Sequence, residues 1–254
     1  MCLIAWSWQP ASATPLLLLS NRDEYYDRPA LPLHWWEPAP NGSTMLAGRD
    51  LRAGGTWLGV NRAGRLAAIT NYRTAIPARE NTPSRGELVA AFLQGQMDAP
   101  DYLRALARRA SDYNPFNLLV FDGQHLMGLE SRQARIVTLA PGMGAVSNAD
   151  FHTPWPKLKR LQAGLHTHVQ AGDTRAEQVF ALLHDPALAS DEDLPQTGVP
   201  LPLERALSAT FIATPGYGTR ACSVVHIHQD MVEFTEQSFG PAGLLDSRQT
   251  CFSY

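Results

Sequence analysis

The chain has 254 residues, 44% of them hydrophobic and 18% charged, the balance of a globular protein with a sizeable core in one large or two small domains. A formal net charge of −3 gives no electrostatic basis for nucleic-acid binding or for attachment to an anionic membrane surface. Cys2, Cys222 and Cys251 are too far apart for a disulfide framework or a zinc motif, which points to a reducing compartment.

Cys2 directly follows Met1. Aminopeptidases remove an initiator methionine before a small residue, and excision would leave a thiol and a free α-amine on Cys2. These groups titrate near ~8.5 and ~8, so one residue would supply both nucleophile and base. The plain alternative is a small residue opening a buried strand. Residues 2–8 read as that strand, with a turn over 9–14 and a second strand over 15–20 that lacks polar alternation, as in a strand covered on both faces. The run Leu16 to Leu19 is too short to span a bilayer, and no basic segment precedes it to suggest a secretory signal. A cytoplasmic location and no stable membrane insertion are expected.

From Asn21 to Pro40 the sequence is charged, aromatic and proline-bearing, and predicts a long functional loop. Short strands follow at 56–60 and 65–70 around the turn Asn61-Arg62-Ala63-Gly64. Ser84-Arg85-Gly86-Glu87 has capping-box spacing ahead of one helix, and Asp98 begins a second. Strands are predicted over 116–121, 125–130, 136–139 and 144–147. Helices follow from Thr153-Pro154 and from a second capping box, Thr174 to Glu177. A polar connection covers 185–202, and strands at 209–213, 222–228 and 232–239 close the chain. Strands, two helices, strands, two helices, strands is an α+β order, with residues 1–254 read as a single domain.

Asn21-Arg22-Asp23-Glu24 resembles the signature of the NRDE family, also called the Transport and Golgi organisation protein 2 family. Further blocks in family order are Gly54-Gly55-Thr56-Trp57-Leu58-Gly59-Val60-Asn61, Thr70-Asn71-Tyr72-Arg73, Ser84-Arg85-Gly86, Tyr113-Asn114-Pro115-Phe116-Asn117-Leu118, Ser147-Asn148, Thr153-Pro154-Trp155-Pro156-Lys157 and Tyr217-Gly218-Thr219-Arg220. That family in turn resembles N-terminal-nucleophile hydrolases of the bile-salt and penicillin V acylase type, which implies a four-layer αββα sandwich. The same likeness implies catalytic roles for Cys2, Asp23, Asn71, Asn148 and Arg220. The acylases' first arginine has no unambiguous match, because Arg22 lies too near Asp23.

In that chemistry Asp23 would fix the α-amine, while Asn71 and Asn148 would donate to an oxyanion, one such donor being worth ~3 kcal/mol. Arg22 and Arg220 would lower the thiol pKa or grip a carboxylate or phosphate. Each has an ordinary counterpart: an Asp23–Arg22 ion pair pinning the loop, and two turn-forming asparagines. The competing class is binding, and it is the first expectation, with hydrolysis the alternative. The family resemblance implies intracellular haem trafficking, with acyl-CoA or lipid metabolism as a related proposal, through a pocket near Cys2 that would also use Asn21, Arg22, Glu24, Trp57 and Arg73. Haem would be cargo, hydrolysis needs no cofactor, and protein partners are undefined. No Cys-x-x-Cys-His attachment motif exists. His226 and His228 share a strand face but read as an ordinary sheet pair, and His166 and His168 point to different helix faces, so no metal site is expected. Tyr25, Tyr26, His34, Trp35 and Trp36 either cover a ligand or pack the loop. Cys222 reads as a small buried hydrophobe.

Overall fold

A computed structural model describes residues 2–254. Met1, whose removal the N-terminal nucleophile reading requires, lies outside the described residues. The strands are β1 (Cys2–Trp8), β2 (Leu16–Tyr25), β3 (Ala30–Trp35), β4 (Met45–Asp50), β5 (Leu58–Asn61), β6 (Leu66–Asn71), β7 (Phe116–Phe121), β8 (Leu126–Glu130), β9 (Arg135–Thr138), β10 (Gly142–Val146), β11 (Tyr217–Ile227), β12 (Met231–Gly240) and β13 (Gly243–Ser253). The helices are α1 (Gly86–Gln94), α2 (Ala99–Ala107), α3 (Pro156–Ala171), α4 (Ala176–Leu183) and α5 (Leu201–Ala206).

Two antiparallel sheets result, ordered β10-β1-β2-β11-β12-β13 and β3-β4-β5-β6-β7-β8-β9. The period-2 alternation of side chains decides what each face meets. In β1 and β2, Cys2, Ile4, Trp6, Leu16 and Leu18 enter the core between the sheets, where Leu46, Leu58, Val60 and Leu119 meet them. Leu3, Ala5, Leu17 and Leu19 point the other way, onto Leu158, Leu161 and Leu165 of α3 and Val179, Phe180 and Leu183 of α4. On the outside of the second sheet, Met45, Ala67, Leu118 and Val120 pack on α1 and α2. The order is helix, sheet, sheet, helix: the expected αββα sandwich.

Several local expectations are corrected. The Asn-Arg-Asp-Glu segment is not loop: β1 pairs with it as far as Arg22, and β11 carries β2 on to Tyr25. β3 then occupies Ala30–Trp35 and pairs with β4, leaving only short turns of the predicted loop. Neither capping box forms. Arg85 and Arg175 hold the N-cap positions of α1 and α4 without side-chain cap bonds. Glu87 Oε1 instead accepts from the Tyr113 hydroxyl at 2.6 Å. Residues 209–213 are not a strand, and Ala213 alone makes a bridge, to Gly218. The last strand, β13, is a largely exposed edge whose outward residues carry no apolar alternation to read. Among the described residues, no helix is long and apolar enough to cross a membrane.

Candidate active site

Cys2 stands at the head of β1, 8% exposed, and lines a cavity of about 500 Å³ with Arg22, Asp23, Glu24, Trp57, Asn71 and Arg85. Its backbone carbonyl lies 3.1 Å from the Ser147 hydroxyl, which fixes the strand end beside β10. Burial pushes the Cys2 thiol above its ordinary value; Asp23 and Glu24 push the same way, and Arg22 opposes them. The resting thiol therefore stays protonated at neutral pH until a base takes its proton.

Arg22 pairs with Cys2 across the β1–β2 ladder and so points between the sheets. It does not pair with Asp23, as one expectation held. Arg22 Nη2 donates to Asp50 Oδ2 of β4 at 3.0 Å, and the guanidinium lies 4.5 Å over the Trp57 ring. Arg28 Nε reaches the same oxygen at 2.6 Å, while Asp50 Oδ1 accepts the amides of Arg52 and Ala53, both at 3.0 Å. Burial works against the Asp50 carboxylate, but the Arg28 bond, the Ala53 amide and the two guanidinium charges together hold it below the usual carboxylate range. Arg22 Nη1 has no partner among the described residues.

Two of the glycine blocks meet here. A Cβ on Gly55 would lie 2.4 Å from the Gly86 carbonyl carbon, and one on Gly86 would lie 2.9 Å from the Thr56 carbonyl oxygen. Backbone packs directly on backbone, and the Thr56 amide donates to the Gly86 carbonyl at 3.2 Å. This contact lodges the start of α1, and with it Arg85, in the cavity wall.

Asp23 accepts from the Thr219 hydroxyl at 2.8 Å. Nearby, Lys157 of α3 is 1% exposed, and Nζ has no hydrogen-bond partner among the described residues. Burial lowers its amine to about 8, Asp23 being the charge that most favours protonation. Arg73 forms a buried pair with Glu204 of α5 at 2.7 Å and stacks 4.6 Å over Trp155. It therefore braces α5 and is absent from the Cys2 cavity lining.

Three further expected site residues, besides Arg73, fall outside that cavity. Asn21 faces the helix layer, donating to the carbonyls of Leu183 and Thr210 at 2.8 and 2.9 Å. Asn148 is fully buried, and its Nδ2 donates to the Asn71 carbonyl at 2.9 Å. Arg220 sits at a β-bulge between Thr219 and Ala221, which turns it away from Cys2. Its Nη1 donates to the carbonyls of Tyr25, Tyr26 and Arg28 at 2.9, 3.2 and 3.1 Å, and its Nε to that of Phe239 at 2.9 Å. Asn71 does line the cavity, and its side-chain amide makes no hydrogen bond among the described residues.

The aromatic segment packs instead of covering Cys2. Trp35 meets Phe252 edge-on, and Trp36 Nε1 donates to Ala47 at 3.2 Å. His226 and His228 stack in parallel, 5.9 Å apart, and no metal-binding cluster exists among the described residues. Sequence reading missed Asp50, Arg85 and Lys157. Arg85 and Lys157 stood in blocks that carry the family resemblance, and Lys157 and Leu161 lie four apart, which puts the lysine on the buried face of α3.

The sequence pattern of a family described as Transport and Golgi organisation 2 matches residues 1–241. The Transport and Golgi organization protein 2 homolog of Bos taurus is 35% identical, over 94% of this chain and 93% of its own. The Transport and Golgi organization protein 2 of Drosophila melanogaster is 26% identical, over 88% of this chain and 86% of its own. Among solved structures, a mutant conjugated bile acid hydrolase from Clostridium perfringens superposes with a TM-score of 0.58 at 8% identity, covering 100% of this chain and 97% of that one. At that identity the likeness is one of fold alone, and the fold is that of the N-terminal-nucleophile hydrolases.

Proposed function

The chain belongs to the Transport and Golgi organisation 2 family, and from that premise we propose that its Cys2 cavity is a small-molecule site that hydrolyses an amide or thioester. The observation carrying this reading is the shared cavity wall of Cys2, Asp23, Arg22 and Asn71. With Met1 removed, the α-amine of Cys2 takes the thiol proton. The thiolate adds to the acyl carbon, and the amine or thiol leaves with a proton. Water then attacks the Cys2 thioester and releases the carboxylic acid. The uncommitted amide of Asn71 donates to the oxyanion, and Asp23 holds the protonated amine. Asn148 and Arg220 act at a distance, by holding Asn71 and the β2 turn.

Intact mass before and after exposure to activated acyl thioesters tests this directly. Loss of Met1 and an acyl adduct absent from Cys2→Ala are expected. Quantitative retention of Met1 defeats the mechanism.

A second reading, haem carried as cargo, is supported by an adjoining cavity of about 530 Å³ whose walls combine apolar side chains with arginines. No histidine lines either cavity among the described residues, so the phenols of Tyr25 and Tyr72 or the Cys2 thiolate would be the iron ligands. A saturable Soret shift with one site is expected on titrating haem into the protein, and non-saturating uptake counts against it.

A further inference from the structure

The second cavity shares Asn71, Arg85 and Asn114 with the Cys2 cavity, so the two open onto a common wall. Beyond that wall Ile76, Pro77, Val199, Leu203 and Leu207 supply apolar lining, and Arg79 and Arg132 line the same cavity. Arg79 donates to the Ser111 and Tyr113 carbonyls, and Arg132 lies 4.6 Å over the Tyr72 ring. Ile76 is 77% exposed and Leu203 43%, which leaves large apolar side chains open at a concave surface. The wall is built firmly. α5, which carries Leu203, is tied down by the buried Glu204–Arg73 pair at 2.7 Å. The segment before α1 is held by Asn114, whose Nδ2 donates to the Arg79 carbonyl at 3.0 Å and the Thr82 hydroxyl at 2.7 Å, and whose Oδ1 accepts the Arg79 amide at 2.8 Å.

Arg85 occupies the junction. The one hydrogen bond of its guanidinium among the described residues runs from Nη1 to the Pro115 carbonyl at 3.0 Å, and no carboxylate lies within ion-pair distance of it there. A guanidinium carries five N–H donors in a planar fork suited to two carboxylate oxygens. Arg22 and Arg28, by contrast, already hold Asp50. Burial disfavours the Arg85 charge more than any neighbour supports it, so an incoming anion would meet a cation already stripped of much of its water.

We infer that Arg85 and the apolar cavity beside it form a receptor for a carboxylate carried on an apolar body, the carboxylate on the guanidinium fork and the body against Leu203, Leu207 and Val199. This rests on reading the cavity pair as a ligand site, and it names the ligand class. A straight acyl chain and a porphyrin bearing propionates are two carriers of the same chemistry. For the hydrolase reading, such an acid is the product class.

Calorimetric titration of the full-length Cys2→Ala protein tests the inference without turnover. The pairs are dodecanoate against methyl dodecanoate, and mesoporphyrin against its dimethyl ester. At least one acid should bind roughly tenfold or more tighter than its ester, the scale of a charge-assisted hydrogen-bond pair. Whichever pair shows the preference identifies the carrier. Adding Arg85→Gln should erase the preference while leaving ester binding in place. Arg85→Lys should keep part of it, and Leu203→Trp should weaken acid and ester alike. Equal binding of acids and esters, or a preference that survives Arg85→Gln in a protein with unchanged thermal melting, overturns the inference. If Arg85→Gln melts early, Arg85→Lys decides: full retention of the preference there also overturns it. Carboxylate preference with no turnover by the wild type leaves this receptor standing and removes the hydrolase. Turnover without the preference does the reverse.

Discussion

Asn148 Nδ2 donates to the Asn71 carbonyl at 2.9 Å, joining the segment after β10 in one sheet to the end of β6 in the other. The Arg73 amide returns the tie by donating to the Asn148 carbonyl at 2.7 Å. A residue expected to donate to an oxyanion instead positions the one that lines the cavity. Asn148→Ala should therefore cost about 1–3 kcal/mol, because it leaves the partly buried Asn71 carbonyl without that donor. Urea unfolding measures it. A variant of unchanged stability would return Asn148 to the list of direct participants.

Asp50 is the shared anchor of Arg22 and Arg28. Asp50→Asn should destabilise the protein by about 3 kcal/mol, the low end for a broken buried pair because Arg28 remains partly exposed. The loss should depend little on salt, since Arg22 is screened from solvent. A strongly salt-dependent effect below ~1 kcal/mol would mark it as an ordinary surface pair.

The Gly55–Gly86 contact leaves no room for a methyl group. Gly86→Ala should lower stability by roughly 2 kcal/mol, the scale of an overpacked site, and should weaken ligand binding by shifting the start of α1. Thermal melting and the dodecanoate titration read the two effects separately. An alanine accepted without change in either would show that the backbones need not touch.

Lys157 titrates at about 8 in the folded protein against 10.5 for an ordinary lysine. Between those values the unfolded chain binds more protons than the folded one, so this group makes stability rise with pH. Its penalty is fully present below about pH 8 and disappears toward 10.5. Relative to Lys157→Met, the wild type should gain roughly 2–3 kcal/mol across that window. Parallel stability profiles for the two proteins would refute the buried-amine assignment.

Glu236 lies between the sheets and accepts the Leu33 amide at 2.8 Å, a donor freed by the irregular pairing of β3 with β4. Burial raises its carboxyl to about 7 from an ordinary 4.5. Between those values the folded protein holds the extra proton, so stability contributed by this group falls as pH rises. Glu236→Gln keeps an acceptor for Leu33. It should match the wild type below pH 4.5 and exceed it by roughly 2–3 kcal/mol above 7. Hydrogen–deuterium exchange at Leu33 should stay unchanged in the variant.

That the first two strands are covered on both faces was legible in the residues alone; which face meets the other sheet was not. The apolar residues 2–6 and 16–19 leave no polar face on either strand and so demand cover on both sides, and the strand–helix order gives an α+β class; the four layers followed from the family resemblance. The Asn-Arg-Asp-Glu segment was legible as important but misread as loop, because charged residues in a strand become tolerable only once partners sit across from them. Those partners are Asp50 in the other sheet and Thr219 in β11, distant in sequence. The remaining placements came from contacts between segments far apart in the chain. A single bulged residue turned Arg220 from the centre, a backbone contact between two glycines brought Arg85 into it, and the tie between sheets consumed Asn148. Strand periodicity fixes the face a side chain takes; it says nothing about which segment will stand opposite, and the chemistry here depends on what stands opposite.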